Sequence, residues 1–174
     1  VILPSTLVII DNSNPVFTGC SKLEITATAP KEGQEFYHYV YDGALYMHIG
    51  REKTEKLRWI PEKKTGTVVI KEGTTEITQC SIYLTNVDKI VIPGSVKLID
   101  IYTFVSCKTP LVLELNWKTK EDVDEITTNM SDPSSFFFNG TDRSAVKVTV
   151  PKGTKSYYES HWLWSNLGGI VERP

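Results

Sequence analysis

The sequence predicts a β-rich, α/β-type repeat solenoid, and three observations carry that prediction. Apolar residues recur 22 positions apart: Ile70, Ile77 and Ile82 are matched by Ile92, Ile99 and Phe104, Val68 by Ile90, and Val1 and Leu3 by Leu23 and Ile25. The segment Phe17-Thr18-Gly19-Cys20 returns as Phe104-Val105-Ser106-Cys107 after 87 residues, close to four such periods. Each unit also opens on a short alternating strand and then turns. A fixed period of this length means one short supersecondary unit stacked on the next, here with one short parallel strand per repeat of about 22 residues.

In chain order, a first coil runs from Leu3-Pro4 through Ile10 to Phe17 and Cys20, with two extra residues near Asn14-Pro15. From Ile25 to Ile70 is 45 residues, about two repeats, and the region of about 33–66 reads as a hairpin insertion. Asp42-Gly43 is its turn signal, Ala44 to His48 alternates as a strand, and Leu57 to Pro61 alternates as the return. The next coil passes from Val68 through Glu72-Gly73 to Ile77 and Ile82. Val87 to Ile92 is the clearest strand, with Ile90 and Ile92 pointing one way and Lys89 and Val91 the other. Pro93-Gly94 turns the chain, Val96 and Ile99 re-enter the core, and Phe104 and Cys107 close the coil.

Leu111 to Leu115 begins another coil, 21 residues after Ile90. A second insertion, about 116–145, opens with a charged helix from Lys118 to Ile126 capped by Thr119 or its neighbours. It continues through Ser131-Asp132-Pro133-Ser134-Ser135 to Phe136-Phe137-Phe138. Val146 to Val150 reads as the last strand. The remainder, about 151–174, reads as a C-terminal cap, with a helix from Lys155 to Trp164 rich in Tyr157, Tyr158, Trp162 and Trp164. A solenoid end is an open apolar section, and an aromatic helix would cover it. The whole is read as a single domain, 1–174.

Composition fits a folded chain with a real core: 174 residues, 40% hydrophobic and 23% charged. The net charge of −2, with acids and bases interspersed, gives no basic stripe for nucleic acid and no polybasic patch for anionic lipid. No apolar run approaches a membrane span. Val1-Ile2-Leu3-Pro4 is too short for a signal peptide and already looks like repeat sequence. The chain is therefore read as a mature or truncated piece whose export signal, if any, has been removed. Cys20, Cys80 and Cys107 cannot all pair. Cys20 and Cys107 fall at equivalent points four layers apart, beyond the Cα separation of about 7 Å that a disulfide tolerates. They are read as small buried apolar side chains.

The pattern Val91-Ile92-Pro93-Gly94-Ser95-Val96, then Ile99, then Phe104 and Cys107, resembles the BspA-like leucine-rich repeats of bacterial surface proteins. So do the hairpin Asp42-Gly43-Ala44-Leu45-Tyr46 and the ending Val150-Pro151-Lys152-Gly153, Tyr157, Trp162, Ile170-Val171-Glu172. The departures are irregular repeat lengths, Thr85 where a Cys would fall, and the insertion at 116–145. The resemblance implies a right-handed leucine-rich-repeat coil in a protein of the cell surface or extracellular space. It implies adhesion to host or microbial proteins, and it brings no catalytic residues.

Candidate chemistry is sparse. His38, His48 and His161 share no metal-ligand spacing, though His38 and His48 could converge across the hairpin. Glu121, Asp122, Asp124 and Glu125 lack the glycine and later glutamate of a calcium loop and read as a solvated helix face. Asn129-Met130-Ser131 and Asn139-Gly140-Thr141 match the glycosylation sequon, a pattern short enough to arise by chance. No catalytic residue, cofactor site or metal site is expected. The sharper expectation is a protein-binding face. Aligned by the period, the outward positions Ile2, Glu24, Tyr46, Val69, Val91, Val112 and Thr149 form a column beside Thr26, Lys89, Glu114 and Lys147. The alternatives are a carbohydrate-binding accessory domain using Tyr37, Tyr46 and Trp59, or a structural spacer in a longer surface protein.

Overall fold

A computed structural model describes residues 1–4, 17, 20, 22–126 and 134–174. The chain winds as a β-solenoid of about 7 turns. One five-stranded sheet is wholly parallel and holds β6 (Thr65–Val69), β8 (Asn86–Ile92), β10 (Leu111–Leu115), β11 (Val146–Val150) and β12 (Ile170–Glu172), side by side in that order. A second five-stranded sheet holds β3 (Phe36–Tyr41), β4 (Ala44–Ile49), β5 (Thr54–Trp59), β7 (Glu76–Ile77) and β9 (Leu98–Ile99). The short strands β1 (Ile2–Leu3) and β2 (Thr26–Ala27) pair with each other.

The alternating strands read from sequence are present, and their inward residues stack in register. Val68 lies beside Ile90, Ile90 beside Leu113, Leu113 beside Val148 and Val148 beside Ile170. The first four are fully or almost fully buried. β-Branched and aliphatic side chains suit such a ladder because each packs on its neighbour as well as on the facing sheet.

One strand per coil was too few. After the turns at Glu72-Gly73 and Pro93-Gly94, the chain makes β7 and β9, which pair in parallel with Ile77 beside Ile99. Two-residue strands leave almost no alternation to detect. The corners repeat as faithfully as the strands do. Cys80 and Tyr102 both have φ of 55°, and Leu84 and Ser106, again 22 apart, have φ of 53° and 51°. Left-handed backbone is costly away from glycine, so its recurrence marks equivalent bends imposed by stacking. The bends hydrogen-bond to each other, Cys80 N–H to the Tyr102 carbonyl and Leu84 N–H to that of Val105.

The hairpin is larger than expected and is joined to the solenoid. β3 and β4 meet at Asp42-Gly43, β4 and β5 pair antiparallel, and β5 then pairs in parallel with β7. Asp42 and Gly43 both take positive φ, as a tight two-residue turn of this kind requires. The last strand is β12, not β11. The coil before the hairpin falls largely outside the described residues, including Ile10 and Asn14-Pro15. Where β1 and β2 are seen, Ile2 lies beside Thr26 and Leu3 beside Ala27, two residues on from the expected pairing.

The first helix is shorter than read, α1 (Lys120–Asp124), and Thr119 caps it by accepting from Asp122 N–H. The rest of that insertion contributes α2 (Ser134–Phe137), which brings Phe138 flat against Phe104, centroids 5.0 Å apart and planes at 10°. Residues 127–133, with the Asn129 sequon, lie outside the described residues. The terminal helix, α3 (Lys155–Glu159), ends five residues short of the expected stop, and turns carry the chain onward. Tyr158 donates to the Trp117 carbonyl at 2.6 Å, and Trp117 Nε1 donates to the Val96 carbonyl. Trp164 packs by Trp117. These aromatic side chains close the core as an end cap must.

Phe104→Ala removes a fully buried ring stacked on Phe138. The expected cost is about 3–5 kcal/mol, read as a lower urea midpoint at unchanged slope. His161 is buried in the cap between Trp162 and Trp164, and burial lowers its pKa from 6.5 to about 4, with Asp124 opposing and Lys120 assisting. Its folded pKa lies below the unfolded value, so its contribution is complete above about pH 6.5 and is lost as pH falls through about 4. The full effect corresponds to roughly 3 kcal/mol. Wild-type protein should lose stability across that window, and His161→Phe should flatten the loss in urea titrations at successive pH values.

Candidate functional site

Alternation along β6, β8, β10, β11 and β12 sends every second side chain outward, and the parallel register aligns these into rows. One row is Val69, Val91, Glu114, Thr149 and Val171. The adjacent row is Thr67, Lys89, Val112 and Lys147. Val69 is 51% exposed and Val171 is 58% exposed, while Val91, Val112 and Thr149 are half-buried.

Most of the expected face is therefore present, with corrections. β10 pairs with β8 at an offset of 23 residues, so Glu114 stands by Val91 and Val112 by Lys89, reversing their rows. A slip of two residues keeps the same face outward, which is why both were still placed on the surface. Tyr46 does not belong to this face. It lies on β4 in the other sheet, fully buried beneath Tyr39, with its hydroxyl accepting from Lys71 N–H at 3.1 Å.

The centre of the face is electrostatically locked. Glu114 pairs with Lys89 at 2.5 Å and with Arg173, whose guanidinium also reaches the Leu115 carbonyl and Asn116 Oδ1. Partial burial alone would raise the Glu114 pKa, but Lys89 and Arg173 outweigh it and hold the carboxyl below its ordinary value. Arg173 thus ties the strand beside β11 to the end of β10, one strand further in. Sequence reasoning missed Val171 and Arg173 because Ile170-Val171-Glu172 was read as cap. Its alternation was visible, but three residues are too few to announce a strand.

The trio expected for glycan binding does not assemble. Trp59 is buried, packing on Phe17 with centroids 5.0 Å apart in a small core shared with Leu3 and Leu45. Tyr46 is buried in the main core, and only Tyr37 reaches the surface. Tyr37 stands instead among residues the sequence reading did not combine. Tyr37, Tyr39 and Tyr41 share one face of β3. Tyr37 stacks on His48 of β4 at 4.8 Å, and His48 Nδ1 meets Glu55 Oε1 of β5 at 2.6 Å. Tyr39 donates to Glu55 Oε2 at 2.6 Å and accepts from Lys71 Nζ at 2.9 Å. Burial, then Glu55, raises the pKa of both Tyr37 and Tyr39. The tyrosine alternation in Tyr37-His38-Tyr39-Val40-Tyr41 was the available signal.

The other candidates separate. His38 lies opposite Met47 and His48 opposite Tyr37, so the two histidines occupy opposite faces and do not converge. Among the described residues, no group of three or more His, Cys, Asp or Glu side chains could hold a metal ion. Cys107 is a buried free thiol as expected and Cys80 is buried as well, whereas Cys20, expected to be buried, is exposed. Where Thr85 replaces a repeat cysteine, its hydroxyl donates to Cys107 Sγ at 3.6 Å. Of the acidic cluster, Asp122 and Glu125 pair with Lys97, and Asp124 pairs with Lys120. Asn139 is exposed. A groove of about 420 Å³ lies past the ends of β8 and β10, lined by Glu72, Gly94, Asn116, Trp117, Lys118 and Asp122. Among the described residues, no helix is long and apolar enough to cross a membrane.

No protein-family model matches the chain, and no curated protein or solved structure matches it either.

Proposed function

We propose that the chain is a non-enzymatic protein-binding module that docks an extended segment of a partner on the outward face of its parallel sheet. The observation that carries this reading is the outward placement of Val69 beside Val91, with Val112 diagonal to Val91 on the next strand, bordered by Lys89 and Arg173, which both pair with Glu114. Register-aligned strands make this face continuous and rigid, so a partner that covers it need not order it first. The valines supply apolar area on the β6–β8 side of the face, and the Lys89–Glu114–Arg173 cluster with Lys147 gives it a polar border. Such a face suits a polypeptide laid across the strands.

The motif resemblance supports reading the solenoid as a right-handed leucine-rich-repeat coil of the BspA-like kind. On that reading the partner is an extracellular or surface protein, and the module serves adhesion at the cell surface or in secreted form. The role of structural spacer is the competing outcome, since coils can be stacked for reach alone.

The double variant V69K/V91K places two cations on the adjacent outward valines of β6 and β8 without touching the inward ladder. In a binding screen against extracellular-matrix and serum proteins, the wild-type chain should give a saturable response, and the double variant should weaken it at least tenfold, about 1.4 kcal/mol. Its urea midpoint should stay within about 0.5 kcal/mol of wild type. Equal binding by both proteins would remove the sheet face as the docking surface, and silence across the screen would favour the spacer.

A further inference from the structure

The β3–β4–β5 meander carries a second built surface, independent of the docking face. Tyr37, Tyr39 and Tyr41 alternate on β3, the outermost strand of its sheet, and among the described residues no strand of that sheet flanks them on the far side. Tyr41 is 46% exposed, while Tyr37 and Tyr39 are half-buried. Residues two apart on a strand are separated by roughly 6.6 Å, which makes the row about 13 Å long.

From this arrangement we infer a binding site for a neutral oligosaccharide, formed by the Tyr37–Tyr39–Tyr41 row with His48, Glu55 and Lys71 at its edge.

Three properties point to that ligand class. The first is charge. Glu55 is the acceptor for Tyr39 and faces His48, and Lys71 donates to the same Tyr39 hydroxyl and lies 4.7 Å from its ring centroid. The carboxylate and the ammonium offset one another across one phenol, so an ionic ligand would have to break an internal contact to gain one. A neutral ligand meets no such cost.

The second is hydrogen-bonding capacity. The Lys71 ammonium carries three N–H donors, and the phenols of Tyr37 and Tyr41 both donate and accept. His48 Nδ1 lies against Glu55 Oε1, which leaves Nε2 as the second polar atom of the ring. Donors and acceptors interleaved in this way match hydroxyl groups, which are themselves both. The third is shape. Tyrosine rings pair apolar faces with polar rims, the complement of a sugar ring with C–H bonds on its faces and hydroxyls at its edge. Because Tyr39 is engaged by Tyr46 and Lys71, Tyr37 and Tyr41 are the platforms at the two ends of the row. A row about 13 Å long spans two or three such rings rather than one.

The cluster is also rigid. Four strands and turns contribute to it, and its hydrogen bonds of 2.6, 2.6 and 2.9 Å fix the edge groups before any ligand arrives. Preorganised polar groups of this kind give selectivity at low entropic cost.

The test is calorimetric titration with soluble neutral hexasaccharides of glucose (β-1,4 and β-1,3), xylose and mannose, and with an oligogalacturonide as the acidic comparison. Saturable binding is expected with at least one neutral hexasaccharide and should be stronger than with the acidic one. Tyr37→Ala and Tyr41→Ala should each weaken it at least about tenfold, and Tyr37→Phe should restore most of the loss from Tyr37→Ala. Because Tyr41 is exposed, Tyr41→Ala keeps the test valid should Tyr37→Ala disturb folding. The V69K/V91K variant should bind the sugar as wild type does, which separates this site from the docking face. No saturable binding to any neutral hexasaccharide overturns the inference. So does binding indifferent to both alanine variants, or preference for the acidic oligosaccharide.

Discussion

Stacking of inward side chains across parallel strands is the constraint on which the rest of this molecule depends. Val68, Ile90, Leu113 and Val148 lie in one line, and Ile92 beside Leu115 and Leu111 beside Val146 lie in others. Each is buried by the coils on either side as much as by the facing sheet. No coil could bury its own apolar edge alone, so the strands must align, and once they align the outward residues have no freedom in where they stand. The exposed rows are a by-product of the core. That is how a chain whose surface chemistry is unexceptional still presents an ordered face.

The same constraint explains the polar features that hold the coils in place. Asn86 donates to the Glu62 carbonyl and Asn116 to that of Ile92, each reaching back one coil from a strand end. Thr78 and Thr75 donate to carbonyls of β5 in the same way. Buried backbone carbonyls at corners need partners, and short polar side chains supply them without occupying core volume. At the open end the demand is met by larger groups, with Tyr158 and Trp117 donating to carbonyls and Arg173 bracing the last strand. The cap is thus apolar in its bulk and polar at its tips.

How much of this was legible in the sequence depended on segment length. Strands of five to seven residues, such as β8 and β10, declared themselves by alternation, and the period gave the pairs Val68–Ile90 and Ile77–Ile99 correctly. β7, β9 and β12, at two or three residues, are too short to announce a strand, so the extension of the hairpin sheet by β7 and β9 and the final strand were missed. β10 pairs with β8 at an offset of 23 residues, and alternation fixes which face points outward but not the register. The expected register was therefore wrong by two even though the face was right. Among site residues, Val69, Lys89, Val91, Val112, Glu114, Lys147 and Thr149 followed from alternation alone. Tyr46 and Trp59 did not, because nothing local to an aromatic residue in a hairpin tells whether the neighbouring coils will cover it. The tyrosine row was readable, but its union with His48, Glu55 and Lys71 needed three further elements brought together in space.

The account stands or falls on register, since both the buried ladder and the exposed rows follow from it. Cross-strand nuclear Overhauser contacts on isotope-labelled protein measure it directly. The account predicts backbone contacts pairing Lys89 with Val112 and Val91 with Glu114, continuing from Glu114 to Thr149 and from Thr149 to Val171. Backbone contacts pairing Val91 with Val112 in place of Glu114 would contradict it.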